Sequence, residues 1–240
     1  MKPESNLASI IMAGIMDRHA ARALRSLIVI EGLFVIVYAI DALLREKFCL
    51  LHSLFDLDGE ANVPTWFSSC QLLLIGVILF LLSFIPYKAE RPSRPFLFVL
   101  GICFLLLSLD ETAQLHERIT QRVGRRYIDW LPEFVRQRAP LTVSLLAVAV
   151  FILWLAFRDL SAIWRWSPRL SLLAMAGVCI SILGGVVLEA IGYKFLQYGT
   201  PLYKVEVAIE EFMEMLGASL ILYFTILLAS SSVKSITQEA

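Results

Sequence analysis

An all-α, polytopic membrane bundle of six transmembrane helices is the fold class this chain predicts, and three observations predict it. Hydrophobic residues make up 58% of the 240 residues and charged residues only 18%, whereas a soluble domain carries about a quarter charged residues. Apolar runs of about 20 residues, the length that crosses a bilayer, recur six times. Prolines and charges punctuate the breaks between those runs.

Taken in order, residues 1–25 come first. An apolar stretch from Leu7 to Met16 is followed by Asp17, Arg18, His19, Arg22 and Arg25 instead of a small-residue cleavage site, so it does not read as a signal peptide. It reads as an interfacial amphipathic helix over 5–24, with arginines among anionic headgroups, or as a tail. The six-span domain, 26–230, holds runs at 27–44, 67–87, 95–117, 139–157, 170–195 and 205–229. Pro64 precedes the second; Pro86, Pro92 and Pro95 mark the turn into the third. Pro132 and Pro140 lead into the fourth, Pro168 into the fifth and Pro201 into the sixth. Residues 231–240 form a C-terminal tail.

Orientation follows from Lys and Arg in short loops. With both termini inside, inner and outer segments are nearly balanced. Setting aside the arginine-rich segment between the third and fourth spans leaves a clear inner excess, so N-in and C-in is expected, as for a protein of the bacterial cytoplasmic (inner) membrane. Net charge is zero, 21 basic against 21 acidic, which gives no general attraction for nucleic acid. Cys49, Cys70, Cys103 and Cys179 have no ligand spacing and read as small packing residues.

Acidic residues inside the apolar runs are the functional lead. An Asp at a helix centre costs about 2.5–3.5 kcal/mol on insertion scales, so such groups usually face a bundle interior and mark a site. Spans that alternate in direction bring scattered acids to one depth. Asp110 and Glu111, with His116 and Glu117, end the third span; Glu189 lies late in the fifth; Glu206, Glu210, Glu211 and Glu214 begin the sixth; Asp41 ends the first. Glu206, Glu210 and Glu214 recur every four residues and form one stripe that runs on to Gly217. Glu189 shares a face with Gly185 and Gly192, and small residues mark helix contacts in membranes.

Crowded carboxylates require either protonation or a cation among them. Asp110, His116, Glu189, Glu210 and Glu214 are the candidate metal ligands, with Glu111 and Glu117 as candidate catalytic acid–base groups. Hard oxygen donors suit Ca²⁺, Mg²⁺ or Mn²⁺, and carboxylates with one imidazole also suit Zn²⁺ or iron; the lack of Glu-x-x-His pairs argues against a di-iron bundle. Asp110, Gln114 and Glu117 lie on one side of a regular helix and Ser108, Thr112 and His116 on roughly the other. Either His116 stands outside the ion's immediate ligands, or the helix unwinds.

Two segments flank these acids. In FDLDGEANVPTWFSS (55–69), Asp56, Asp58 and Glu60 form a candidate secondary cation site, although Gly59 falls fourth from Asp56 and the segment is not an EF-hand. A polar turn is the plainer reading, with Trp66 an interfacial anchor and Ser68 or Ser69 capping the second span. The other segment carries Arg118, Arg122, Arg125, Arg126, Arg136 and Arg138. Arginine favours bidentate contacts to phosphate and carboxylate, so Arg118, Arg122, Arg125 and Arg126 are candidates to hold an anionic headgroup, or else they neutralise the neighbouring acids.

The motifs LDGEANVPTWFSS (57–69) and SLDETAQLHE (108–117) resemble those of uncharacterised bacterial multi-pass membrane proteins, a resemblance that covers most of the chain and implies the six-span fold without an activity. More loosely, Ser108, Asp110 and His116, with Asp56, Asp58, Glu60 and Asn62, are similar to the zinc and calcium sites of the alkaline ceramidase superfamily. This chain lacks that family's paired late histidines and one of its spans.

Three functions fit. One is a metal-dependent hydrolase acting on a lipid or lipid-linked substrate at the outer face. Another is a cation- or proton-coupled transporter or channel, for which the inner halves of the spans offer little polarity beyond Glu31 and Ser83. The last is a non-catalytic sensor or assembly subunit. Membrane lipids are the expected surroundings in each.

Overall fold

The protein's structure, a computed structural model, describes residues 4–44, 47–85, 92–115, 118 and 157–237. Among them every regular element is helical: α1 (Glu4–Leu43), α2 (Cys49–Phe55), α3 (Val63–Ser83), α4 (Arg94–Ala113), α5 (Phe157–Trp166), α6 (Pro168–Ile182), a π-helical stretch (Leu183–Leu188), α7 (Glu189–Phe195) and α8 (Pro201–Thr237). Five spans are long and apolar enough to cross a membrane: Arg18–Leu43, Val63–Ser83, Arg94–Ala113, Pro168–Gly192 and Pro201–Ser232. The protein is thus an α-helical membrane bundle. The expected fourth span, 139–157, lies outside the described residues except for Phe157, which opens α5.

Helix ends follow local chemistry. Asn62 caps α3 by accepting a hydrogen bond from Thr65 N, and Ser93 caps α4 by accepting one from Phe96 N, each with proline in the first turn; the cap satisfies an orphan N–H, and proline has none to satisfy. The second span therefore begins at Val63, not Phe67, and its cap is Asn62 rather than Ser68 or Ser69. Trp66 is 65% exposed, as an interfacial anchor would be. The first span continues the N-terminal helix without a break, so α1 joins what the sequence reading separates into an interfacial helix and a span.

Packing is built around α8, which touches α1, α3, α6, the π stretch and α7, while α4 packs along α3. Hydrocarbon lends helices little reason to associate, so close backbone approach and hydrogen bonds carry the contact. A Cβ placed on Gly101 would lie 2.7 Å from Phe80 N, across α3 and α4. One placed on Gly177 would lie 2.8 Å from Gly217 O, across α6 and α8. One apolar cluster, including Ile75, Leu79, Leu97, Leu222 and Leu228, fills the end of the bundle away from α2. A smaller one, with Phe34, Tyr38, Leu57, Val207 and Met215, lies towards the α2 end.

An acid-lined chamber

The third span cannot stay a regular helix to Glu117. Gln114 takes a left-handed conformation, φ 54°, and closes α4 with its N–H on Asp110 O. The helix thus breaks at Gln114, ahead of His116 and Glu117, which lie outside the described residues. Just before the break, Ser69 Oγ lies 3.0 Å from Ser108 Oγ and 2.8 Å from Thr112 Oγ1, and Ser108 Oγ donates to Ser69 O at 2.8 Å. Ser108 and Thr112 thereby bind α4 to α3, and Asp110 and Glu111 line a cavity.

That cavity, about 930 Å³, takes in Asp58 and Glu60 from the α2–α3 loop, Asp110 and Glu111 from α4, Glu189 from α7, and Glu206, Glu210, Glu211 and Glu214 from α8. Nine carboxylates from four parts of the chain share one space, and no Lys, Arg or His is among the described lining residues. They lie within electrostatic reach of one another: Glu211 faces Glu214, Glu111, Glu210 and Glu60, while Glu206 faces Asp58 and Glu210. Glu206 is buried, 9% exposed, and its Oε1 has no hydrogen-bond partner.

The wall facing α8 is made of glycine. Gly185 lies against the Glu214 carboxylate and Gly192 against that of Glu206, so the small-residue face beside Glu189 meets the acidic stripe. The π stretch supplies Gly185, and α7 supplies Glu189 and Gly192. A Gly184–Gly185 pair inside an apolar span is a kink or π-bulge signal that the sequence reading did not use.

The α2–α3 loop closes the chamber. Asn62 Nδ2 donates to Asp56 O (2.6 Å) and Gly59 O (2.5 Å), and Asn62 Oδ1 also accepts from Thr65 Oγ1 at 3.0 Å. Tyr203 OH donates to Asp58 Oδ1 at 2.5 Å, joining the loop to α8. Asp56 is not in the lining: its Oδ2 is 3.6 Å from His52 Nε2, whereas Asp58 and Glu60 of the suggested secondary cation site both line the chamber. His52 Nδ1 lies 2.9 Å from Oδ2 of Asp41, which is 3% exposed. This Asp41–His52–Asp56 chain went unassigned in the sequence, because the histidine sits in a connecting helix with no spacing pattern.

Deeper in the bundle, fully buried Glu31 on α1 meets Gln71 on α3 and Ser219 on α8. Gln71 Nε2 donates to Glu31 Oε1 at 2.9 Å and to Ser219 Oγ at 2.8 Å, and Ser219 Oγ donates to Glu31 Oε1 at 2.6 Å.

Among the other expected site residues, Arg118 is exposed. His116, Glu117, Arg122, Arg125 and Arg126 lie outside the described residues. Among the described residues, no three His, Cys, Asp or Glu side chains are gathered closely enough to hold a metal ion. Among the described lining residues the charged donors are carboxylate oxygens, which suit a hard cation that keeps part of its water shell, as Mg²⁺ commonly does.

A family model described as "Domain of unknown function (DUF8692)" matches residues 27–229, and the chain belongs to that family. No curated protein and no solved structure matches it.

Proposed function

For this member of the DUF8692 family we propose a cation-dependent role at the outer membrane face: the chamber holds a hydrated divalent cation, Mg²⁺ or Ca²⁺ rather than Zn²⁺, and uses it on a lipid or lipid-linked substrate as a hydrolase. The observation that carries this reading is the set of nine carboxylates around one cavity of about 930 Å³. Pockets for small molecules span about 300–1,000 Å³, so the space exceeds what a bare ion needs and accommodates a headgroup as well. Asp110, Glu189, Glu210 and Glu214 hold the cation, together with His116, and Glu206 Oε1 offers a further acceptor. A cation bound there supplies an activated water and screens an anionic group on the substrate. Glu111 and Glu117 move protons, and Arg118, Arg122, Arg125 and Arg126 hold the headgroup. The reading includes a sixth span over 139–157, both termini inside, and the bacterial inner membrane.

Elemental analysis of detergent-purified protein tests this reading. Stoichiometric divalent metal in the wild type, lost in Asp110→Ala and Glu214→Ala, is expected. Metal-free protein that also hydrolyses no lipid-linked substrate in the presence of added Mg²⁺ or Ca²⁺ overturns it.

A second reading, cation-coupled transport, is favoured by one observation: the Glu31–Gln71–Ser219 contact sets buried polar groups beside the inner end of the chamber, where Leu72, Ala218 and Ile221 line it. Acid-dependent cation flux into liposomes is the outcome that would replace the first reading with this one.

A further inference from the structure

Every hydrogen available to Glu31 goes to one of its two oxygens. Gln71 Nε2 and Ser219 Oγ both donate to Oε1, while Glu31 Oε2 is buried without a partner. Gln71 Oε1, in the same contact, is buried without a partner as well. A buried acceptor left without a donor is costly, and more so when it is charged. Two such oxygens in one small polar contact, one of them on a carboxylate, call for a positive species between the helices.

The described neighbours on these three helices supply none. Within a helical turn of Glu31, Gln71 and Ser219, the sequence of α1, α3 and α8 holds no other charged side chain, and its other titratable groups are Cys70 and Tyr223. Depth adds to the case. Gln71 is eight residues past Val63, the first residue of α3, which at 1.5 Å per residue is about 12 Å along the axis, close to the middle of a hydrocarbon core of about 30 Å. Glu31 is likewise central in its span, Arg18–Leu43. Coupling-ion sites of secondary transporters lie near this midplane.

We propose that Glu31, Gln71 and Ser219 form a separate site for a single monovalent positive charge, a proton or an alkali cation, held between α1, α3 and α8 beside the inner end of the chamber. Glu31 supplies the countercharge, Gln71 Oε1 a second oxygen, and the Gln71 and Ser219 donors fix the carboxylate. The site takes one charge where the chamber takes a divalent ion, and it does not depend on what the chamber does.

Thermal unfolding of the detergent-purified full chain tests it, in NaCl or KCl against choline chloride at equal ionic strength and over a pH series. The variants are Glu31→Gln, which keeps the shape and removes the charge, and Glu214→Gln as a chamber control. For an alkali cation, saturating salt at about 100-fold over the dissociation constant raises the wild-type midpoint by about 5–10 °C; Glu31→Gln abolishes the rise and Glu214→Gln keeps it. For a proton, salt identity has no effect, but the pH dependence of the wild-type midpoint exceeds that of Glu31→Gln by one titrating group. Wild type and Glu31→Gln responding identically to both salt and pH overturns the proposal, whatever the chamber's metal content. Should Glu31→Gln fail to fold, Ser219→Ala, which removes one donor and leaves the charge, takes its place. It is then expected to shift the salt or pH midpoint, and an unshifted midpoint overturns the proposal.

Discussion

Gly192 and Glu206 fit against each other so closely that a Cβ placed on the glycine would lie 2.5 Å from both carboxylate oxygens. Gly185 stands in the same relation to Glu214 one stretch earlier. The acids of α8 are thus held against bare backbone, which fixes where their oxygens are.

Replacing Gly192 or Gly185 by alanine must therefore move a carboxylate. Overpacking of this kind costs about 1–3 kcal/mol, and the displaced oxygen weakens cation binding. Both effects are expected together in Gly185→Ala, read by thermal unfolding and by metal titration. Unchanged affinity in a folded Gly185→Ala protein would show that Glu214 does not hold the cation.

Asp110→Ala and Glu214→Gln are expected to lower divalent-cation affinity by at least about tenfold, since even partners outside the immediate ligands change affinity by about 10–100-fold in metal sites. Equilibrium dialysis against Mg²⁺ or Ca²⁺ measures the change. Leu107→Val, at the same cavity but without charge or a hydrogen bond to lose, serves as the control and keeps its affinity.

His52→Ala leaves Asp41 buried without its imidazole partner, because Asp41 Oδ1 already lacks a hydrogen bond. An unmet buried acceptor costs about 1–3 kcal/mol, so the melting midpoint falls, by about 2–4 °C per kcal/mol in a chain of this size. Paired Asp41→Asn, His52→Ala substitution is expected to recover part of the loss, and a strictly additive double variant would deny the coupling.

Asn62→Ala removes the α3 cap together with the donors that shape the 56–62 turn. Loss of a cap costs about 0.5–2 kcal/mol, and Asp58 and Glu60 lose their fixed place on the chamber rim. Asn62→Asp retains the acceptor for Thr65 but not the amide donors, and is expected to keep the α3 start while loosening the loop. Proteolysis within 56–62 distinguishes the two.

The convergence of acids was legible in the sequence because it needs only alternating spans: Asp110, Glu189 and Glu214 reach one depth whichever face is outside. The glycine face beside Glu189 was legible for a related reason, since side-chain spacing survives even where the helix widens. Other features were hidden because tertiary contacts set them. Asp41 and His52 are brought together by the fold of α2 back on α1, which no periodicity signals. Asn62 outcompetes Ser68 and Ser69 as a cap because its amide also serves two loop carbonyls. Gln114 ends α4 without the glycine that usually announces a left-handed residue.

A π turn spans i to i+5 rather than i to i+4, so Leu183–Leu188 takes up backbone that a regular helix would have passed on. Tightening that turn by one residue would twist everything after it by about 100° about the axis. Glu189 and Gly192 would then swing off the wall of the cavity in a single movement, with the far half of the span left in place. Deleting Val187 imposes that twist permanently, and the wide turn thereby makes the aim of one acid a matter of how the backbone is wound.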